Sequence, residues 1–332
     1  MSGSYRIINY ALRPAKAIER RMLSAAFERL HPFQRIQHYR YIGFGSIYFS
    51  DFHLFHRELG ITDMLSIEKD VAAKACFRFN RPYKCIRLKF SKSAEVLPDL
   101  NWKPRTILWL DYDDRLNIDI LGDIATTCLR ACSGSVFTIS VNAQPDAEPS
   151  KEDRDSYQEE TGKPFDLADY RLRIAKELLG EKLPAGTTGA NLRGQELAKT
   201  FREIIDNTIA EQLSIRNALL PPQERLFYRQ LFHFRYKDGA QMLTVGGILY
   251  RSTEEHTVAA CGFDTLPFIR TGPEHCAIKA PCLTTKEIRH LNSQLPTTSI
   301  SKLKAPGVPD SDIHQYADIY RYFPAFSEIL FA

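Results

Sequence analysis

The stretch YRYIGFGSIYFSDFHLFHRELGITDMLSIEKD, residues 39–70, carries the strongest indication of the fold. A short apolar run ends at the glycines Gly43 and Gly45, an amphipathic stretch follows at 47–60, and a second apolar run ends at Glu68. The order of elements along this stretch is strand, glycine turn, helix, strand and acidic residue. The same order occurs in α/β proteins that bind nucleotide-like cofactors. The stretch therefore predicts a βαβ unit with a cofactor at the carboxyl ends of its strands.

The composition is that of an ordinary globular protein, with 332 residues of which 44% are hydrophobic and 25% are charged. This length is enough for one large domain with substantial additions. The net charge of +4 permits an anionic partner without requiring one, because nucleic-acid binders usually concentrate positive charge on one face. Arg13, Lys16, Arg20 and Arg21 form a local basic cluster, for which a solvated helix face is a simpler interpretation than a phosphate track.

The cysteines and the apolar runs bear on location. None of the seven cysteines forms a CxxC pair, and Cys128 and Cys132 have no further ligand at zinc-site spacing. Free thiols in a reducing compartment are the simpler interpretation. The sequence shows no apolar signal core and no apolar run long enough to cross a membrane. We therefore expect a cytoplasmic protein with no membrane partner.

Strands and helices are predicted to alternate through the first half of the chain, after an amphipathic helix at 13–30. The predicted strands are 39–45, 63–68, 85–90, 106–114 and 135–143, and the helices between them are 47–60, 70–79 and 117–132. This alternation is typical of a parallel sheet with right-handed crossovers.

The second half of the chain departs from this alternation. Residues 145–193 are polar and rich in Pro and Gly, as in an insertion. Two β-rich runs within 225–252 flank Asp238-Gly239, a strong hairpin signal, so the sheet is expected to end in an antiparallel pair. Further helices are predicted at 167–180, 195–220 and 285–295.

The cofactor class depends on the residues after the glycines. Two classes use a glycine turn after the first strand and an acid that accepts hydrogen bonds from ribose hydroxyls after the second. Glu68 lies 68 − 45 = 23 positions after Gly45, which suits either class. Dinucleotide-binding proteins also need a small third residue in the turn, and Tyr48 occupies that position. Tyr48 therefore disfavours NAD.

The chain resembles the class I S-adenosylmethionine-dependent methyltransferases over about residues 36–252. The resemblance is carried by YIGFGS (41–46), SIEKD (66–70), LWLDYDD (108–114) and the terminal hairpin. It implies an α/β fold with a Rossmann-like, doubly wound sheet of seven strands in the order 3-2-1-4-5-7-6, strand 7 being antiparallel. The same stretches also resemble a group of bacterial methyltransferase-like proteins, which implies no particular substrate.

The resemblance also implies how the chain is divided. Residues 1–35 would form an N-terminal helical segment, and residues 36–252 a methyltransferase-like Rossmann domain that carries the polar insertion 145–193. Residues 253–332 would form a C-terminal extension.

The cofactor implied by the resemblance is S-adenosyl-L-methionine, held on the loops that follow the first three strands. The residues that would bind it are Gly43, Phe44, Gly45 and Ser46 in the turn, Glu68 and Lys69 after the second strand, and Ser91 and Lys92 after the third. Members of the superfamily often carry an acid just before the glycines, where this chain has Tyr39, Arg40 and Tyr41. The methionine ammonium could be held instead by the 13–22 helix, by Asp51 or by a backbone carbonyl.

Four polar residues, Asp111, Tyr112, Asp113 and Asp114, directly follow the buried apolar run of the fourth strand and are the predicted catalytic residues. Ligands of a doubly wound sheet bind where the strand order reverses, which here is between the first and fourth strands. Asp111 would orient or deprotonate the methyl acceptor, and Tyr112 would stack on it or bond it. Asp113 or Asp114 would bind the substrate or a divalent metal, and no metal site is assigned.

The expected function is methyl transfer from S-adenosylmethionine to an oxygen or nitrogen nucleophile. The acceptor is open among nucleic acid, protein and small molecule, and the oligomeric state is open as well. Two alternatives are a non-catalytic Rossmann-like binding or defence-system partner and an NAD(P)-dependent oxidoreductase.

Overall fold

The structure is a computed structural model that describes residues 13–145 and 148–324. Residues 1–12 of the predicted N-terminal segment, 146–147 of the insertion and 325–332 of the extension lie outside the described residues.

Helices and strands alternate in the first half of the described residues, and successive helices and an antiparallel hairpin follow in the second half. The strands are β1 (Arg40–Gly43), β2 (Asp63–Glu68), β3 (Ile86–Phe90), β4 (Thr106–Arg115), β5 (Val136–Asn142), β6 (Leu226–Asp238), β7 (Ala240–Arg251) and β8 (Cys276–Ile278). The helices are α1 (Pro14–Glu28), α2 (Ser50–Leu59), α3 (Lys74–Asn80), α4 (Ser93–Val96), α5 (Ile118–Arg130), α6 (Lys151–Thr161), α7 (Leu167–Leu179), α8 (Gly194–Ala218), α9 (Glu255–Ala260), α10 (Thr285–Asn292) and α11 (Asp310–Ile319).

Within the described residues the strands form one sheet of eight, in the order β3-β2-β1-β4-β5-β7-β6-β8. Strands β1 to β5 pair in parallel, and β7 is antiparallel to both of its neighbours. The predicted α/β class, the order 3-2-1-4-5-7-6 and the antiparallel strand 7 are confirmed. The sheet has one strand more than the seven predicted, because the three-residue β8 pairs with β6 beyond the expected edge.

Successive residues of the strands face opposite sides of the sheet, and each side has its own core. Trp109 of β4 and Tyr41 of β1 belong to the core that α1 and α2 cover. Leu108 and Ile42, their neighbours in sequence, belong to the core that α5, α7 and α8 cover. This arrangement of helices on both faces is the doubly wound one, and it leaves the strand ends open to ligands.

Helix α1 lies on the first of these faces and is part of its core. Leu23 is fully buried, and Phe27 packs edge-to-face against Phe55 of α2 and Phe232 of β6. The turn of the terminal hairpin caps the helix, because the Asp238 carboxylate accepts a hydrogen bond from the Lys16 backbone N–H at 2.8 Å. A carboxylate at a helix N-terminus satisfies an otherwise unpaired donor.

The insertion and the extension contain more regular structure than the sequence pattern indicates. Helix α6 precedes the predicted α7, and its first turn is closed by a capping box between Ser150 and Asp153. In the extension, α10 and α11 enclose a small separate core. Its buried members are Leu291, Leu303, Ala305, Ile313 and Tyr316.

The described residues include no helix that is long and apolar enough to cross a lipid bilayer. The seven cysteines are free thiols. Among the same described residues, no three or more His, Cys, Asp or Glu side chains are grouped so that they could hold a metal ion.

Candidate active site

A cavity of about 710 Å³ opens at the carboxyl ends of β1, β2, β3 and β4. It lies where the strand order reverses between β1 and β4, the ligand position expected for such sheets. Its volume is within the range of small-molecule sites. Every predicted site residue except Gly43 lines it. Those residues are Phe44, Gly45, Ser46, Glu68, Lys69, Ser91, Lys92, Asp111, Tyr112, Asp113 and Asp114.

The two glycines of the turn are required by the protein's own packing. A Cβ at Gly43 would lie 2.6 Å from the Tyr41 hydroxyl, and one at Gly45 would lie 2.5 Å from the Phe49 ring. The sequence pattern attributes these glycines to a close approach of the cofactor. The structure gives a different physical reason, since neighbouring side chains already occupy the space that a Cβ would need.

The turn that follows Gly45 is strained. Ser46 and Phe49 both have a left-handed φ of 46°, which costs a non-glycine residue about 1–2 kcal/mol. The backbone N–H of Phe49 donates to the Gly45 carbonyl at 2.8 Å, and the buried Phe49 ring packs edge-to-face against Phe52 and Phe77. These contacts hold the turn in place. Strained backbone that the surroundings hold in one conformation is common at ligand sites.

Glu68, at the end of β2, is bonded to the same turn. Its Oε1 accepts hydrogen bonds from the Gly45 N–H at 2.9 Å and from the Ser66 hydroxyl at 2.5 Å. Burial raises the pKa of Glu68 to about 7, against the opposing effect of these two bonds. No described residue donates a hydrogen bond to Oε2. The carboxylate therefore lines the cavity with one oxygen available to a ligand.

A surface ion pair joins two loops at the cavity mouth. The Lys69 ammonium lies 3.3 Å from the Asp114 carboxylate, and both side chains are mostly exposed. An exposed pair of this kind contributes little to stability. It does bring together the residues that follow β2 and β4.

One wall of the cavity is aromatic. The Phe44 and Tyr112 rings meet edge-to-face at 5.1 Å between centroids, and the Tyr112 hydroxyl donates to Asp123 of α5. Burial and the neighbouring Asp123 charge raise the pKa of Tyr112 well above its ordinary value, so the phenol stays protonated. With the hydroxyl bonded to Asp123, the ring is the part of Tyr112 that suits contact with a flat ligand.

The β3 end of the cavity is a short polar loop. Ser91 donates a hydrogen bond to Glu95, and the Ser93 hydroxyl lies 3.4 Å from the Tyr112 hydroxyl. Lys92 precedes helix α4 in an extended conformation and lines the cavity. The two predicted residues of this loop thus lie beside the aromatic wall.

Asp111 is bound by a buried lysine from α1. The Lys16 ammonium is 2.6 Å from Asp111 Oδ1, 2.8 Å from Glu19 Oε2 and 2.9 Å from the Tyr236 hydroxyl. It also lies over the Trp109 ring, 4.4 Å from its centroid. Lys16 is only 2% exposed, whereas Asp111 is 26% exposed and lines the cavity. The lysine therefore fixes the carboxylate at the cavity wall.

A network of hydrogen bonds extends from the Lys16–Asp111 pair into the protein core. Glu19 accepts from the Thr244 hydroxyl, which lies 2.8 Å from the Ser140 hydroxyl, and Trp109 Nε1 donates to Ser140 at 3.0 Å. The network joins α1 to β4, β5 and β7. Buried charges need this degree of satisfaction, because an unpaired charge in a core is strongly destabilising.

A second pair of charges lies at the turn end of the cavity. Arg20 of α1 and Asp51 of α2 are each 8% exposed, and both line the cavity. The Asp51 carboxylate accepts a hydrogen bond from the Tyr41 hydroxyl of β1. Burial raises the pKa of Asp51, while the Tyr41 bond and the positive charge of Arg20 act in the opposite direction.

Several residues in or behind the cavity wall are absent from the predicted site residues. The basic cluster of α1 is a solvated helix face in that prediction, which is wrong for Lys16 and Arg20 because both are buried. The one available signal is their spacing: Lys16, Arg20 and the intervening Glu19 share the helix with the apolar core positions. Asp123 and Trp109 carry no such signal. Most helices contain polar residues and most strands contain apolar ones, so neither residue marks a site.

Strand order, strained turn and cavity together define a class of protein, the doubly wound α/β proteins that bind a small ligand at the strand reversal. Residues 8–331 match a protein family described as "Putative O-methyltransferase". Because the match spans nearly the whole sequence, the chain belongs to this family. Its membership of the class I S-adenosylmethionine-dependent methyltransferase superfamily, predicted from the resemblance, is confirmed.

Solved structures resemble the chain only distantly. Trm1 from Pyrococcus horikoshii in complex with S-adenosyl-L-methionine is 10% identical, with a TM-score of 0.43 over 76% of this chain and 57% of that one. Cofactor-bound Rv0187 from MTB is 12% identical, with a TM-score of 0.37 over 75% and 86%. A "probable spermidine synthase" from Corynebacterium glutamicum is 13% identical, with a TM-score of 0.33. That match covers 39% of this chain and about half (49%) of the synthase. No curated protein sequence matches the chain significantly.

Proposed function

We propose that the protein is an S-adenosylmethionine-dependent O-methyltransferase whose cofactor and acceptor share the 710 Å³ cavity. The observation that carries the proposal is the position of the strained turn, Glu68 and Asp111 around one cavity at the strand reversal. The family description supports oxygen as the acceptor atom. A cytoplasmic location accords with seven free thiols.

The donor set of the cavity fits the parts of this cofactor. Glu68 Oε2 is a suitable acceptor for a ribose hydroxyl, since Oε1 is already bonded to the turn. The aromatic wall of Phe44 and Tyr112, with Ser91 and Lys92 beside it, suits the flat adenine. Gly45 and Ser46 border the space between these groups and Asp111.

When bound, the cofactor supplies a methyl group on a positively charged sulfonium. The work of the protein is then to hold the acceptor oxygen about 3 Å from that methyl group and to exclude water. We assign Asp111 the task of orienting the acceptor hydroxyl by accepting its hydrogen bond. The Lys16 ammonium, 2.6 Å from Asp111 Oδ1, fixes the carboxylate for this orienting role.

The acceptor side of the cavity carries negative charge. Asp111, Asp113, Asp114 and Asp119 line it, and Lys69 is paired with Asp114 at the mouth. Such a wall repels phosphates, so we propose a small molecule or a protein as acceptor in preference to a nucleic acid.

The ligand choice is tested by calorimetry. We expect S-adenosylhomocysteine to bind with micromolar affinity, about −8 kcal/mol, and NAD to show no comparable binding. NAD carries two phosphates that Asp51 and Asp111 would repel, and Tyr48 disfavours a dinucleotide. Binding of NAD with no binding of S-adenosylhomocysteine would contradict the proposal.

Turnover separates an enzyme from a non-catalytic binder. Cofactor labelled in its methyl group, incubated with the protein and a fractionated cell extract, should label a fraction that resists nuclease. Label in a nuclease-sensitive fraction would contradict the acceptor proposal. Cofactor binding without label in any fraction would favour the non-catalytic alternative.

The role of Asp111 is tested with Asp111→Asn, which keeps the shape of the side chain and removes its charge. We expect cofactor affinity within a few-fold of wild type and methyl transfer reduced by about 10²-fold or more, the loss typical of a positioned polar group. Asp155→Asn is the matched control and should change neither quantity, because Asp155 is exposed and lies outside the cavity lining. A loss of cofactor binding in Asp111→Asn would place Asp111 among the cofactor ligands instead.

A further inference from the structure

The turn end of the cavity presents one cation and one anion to the same space. Arg20 comes from α1 and Asp51 from the first turn of α2, and both line the cavity although each is only 8% exposed. The aromatic wall of Phe44 and Tyr112 lines the same cavity, so one space combines a pair of opposite charges with a surface for a flat group. A ligand that fills the cavity must match this difference.

Asp51 is held in place from the strand side. Tyr41 is fully buried in β1 and donates its hydroxyl hydrogen bond to the Asp51 carboxylate. Gly43, two residues on, leaves room for that hydroxyl, which a Cβ would approach to 2.6 Å. In this way the segment just before the turn, which has no acid of its own, positions an acid supplied by the helix.

The charges select the chemistry of the ligand. A buried carboxylate gains from an additional ammonium, and a buried guanidinium binds a carboxylate in a planar, two-pronged manner. A phosphate would gain from Arg20 but be repelled by Asp51. The two groups side by side therefore suit the zwitterion of an α-amino acid.

We infer that Arg20 binds the carboxylate and Asp51 the ammonium of the amino-acid part of S-adenosylmethionine. This inference rests on the proposed function, because it assigns one end of the cofactor proposed for the cavity. It also gives α1 a ligand-binding role, and it chooses Asp51 among the three groups that the sequence leaves open for the ammonium.

The test uses three ligands that differ only at the amino-acid end. S-Adenosylhomocysteine carries both charged groups, S-adenosyl-3-thiopropylamine carries only the ammonium, and 5′-methylthioadenosine carries neither. Each is titrated by calorimetry into wild type, Arg20→Met and Asp51→Asn. Since every ratio of affinities is measured on one folded variant, a general loss of stability does not imitate the expected result.

We expect Arg20→Met to lower the affinity for S-adenosylhomocysteine by about 10- to 100-fold and the affinity for 5′-methylthioadenosine by less than about 3-fold. Asp51→Asn should weaken both ammonium-bearing ligands by about 10-fold or more and leave 5′-methylthioadenosine within the same 3-fold limit. Arg20→Met should lower the affinity for S-adenosyl-3-thiopropylamine much less than the affinity for S-adenosylhomocysteine, because the former has no carboxylate. Arg21→Met and Asp63→Asn, which lie outside the cavity lining, should change none of the three affinities.

Two failures are distinguishable. If wild type binds none of the three adenosyl ligands, the proposed function is wrong. If wild type binds them but Arg20→Met and Asp51→Asn weaken binding of all three equally, or change none, neither side chain contacts the amino-acid end and this inference alone is wrong.

Discussion

Glu68 has a structural role and a proposed ligand-binding role. Its Oε1 is hydrogen-bonded to the turn, and its Oε2 is available in the cavity. The sequence pattern places a ribose-binding acid at this position but gives no sign that it is bonded to Gly45. That bond joins residues 23 positions apart and depends on the parallel pairing of β1 with β2. A strand-end acid is therefore also a structural residue here.

The raised pKa of Glu68 makes stability depend on pH. Between the ordinary value of 4.5 and about 7, the unfolded chain releases the proton first, so rising pH favours unfolding. The destabilisation is absent below pH 4.5 and complete above pH 7. Its upper limit is about 3 kcal/mol, because each pKa unit corresponds to about 1.4 kcal/mol.

We expect Glu68→Gln to gain stability relative to wild type as the pH rises from about 5 to about 8. The amide keeps an oxygen for the Gly45 N–H and does not ionise. Urea unfolding of both proteins at several pH values measures the difference between their free energies of unfolding. A difference that stays constant across this range would mean that Glu68 titrates normally in the folded protein.

Lys16 shows which site residues a sequence cannot reveal. Its partners Asp111 and Tyr236 lie 95 and 220 positions away, and only the folded sheet brings them together. By composition alone, lysines and arginines of an amphipathic helix are expected on a solvated face. The predicted residues that do line the cavity share a simpler rule: they lie in the last residues of parallel strands or in the loops that follow them.

The helices and strands in the first half of the chain can be predicted because their sequence signals are local. Strand β2 begins and ends at the predicted residues 63 and 68, and β4 differs by one residue at its end. Buried parallel strands appear as continuous apolar runs, and helix α2 ends before Gly60, whose φ of 68° suits a helix C-terminus. These features need no knowledge of distant partners.

The elements that the sequence does not predict lack such local signals. Helix α6 buries only Tyr157, so it has no apolar periodicity to detect. Strand β8 has three residues, and it is a strand only because β6 pairs with it between Phe234 and Tyr236. Helix α11 buries Ile313 and Tyr316 against a small local core. In each case packing or pairing, and not propensity, produces the element.

The two large cores meet along one sheet, and each contains one of the two tryptophans. Trp109 lies in the core that α1 covers and Trp102 in the opposite one. Alternate residues of the same strands serve the two cores, so neither face can keep its strands if the other loses them. The α1 core also includes Val258, Phe263 and Ile278 from the C-terminal extension. We therefore propose that the predicted segments 1–35, 36–252 and 253–332 unfold together over their described residues.

Leu23→Ala in α1 tests this cooperativity, because Leu23 is fully buried on the Trp109 side. Truncation of a buried leucine costs about 2–5 kcal/mol. In Trp102→Phe and Trp109→Phe backgrounds, fluorescence reports each core separately during urea unfolding. We expect Leu23→Ala to shift both unfolding curves to lower urea by the same amount, since the faces share their strands.

Leu219→Ala is the control, because Leu219 is 90% exposed. Its truncation should change the free energy of unfolding by less than about 0.5 kcal/mol, whichever tryptophan reports it. If the Trp102 curve stays in place while the Trp109 curve moves, α1 belongs to a unit that unfolds independently of the rest.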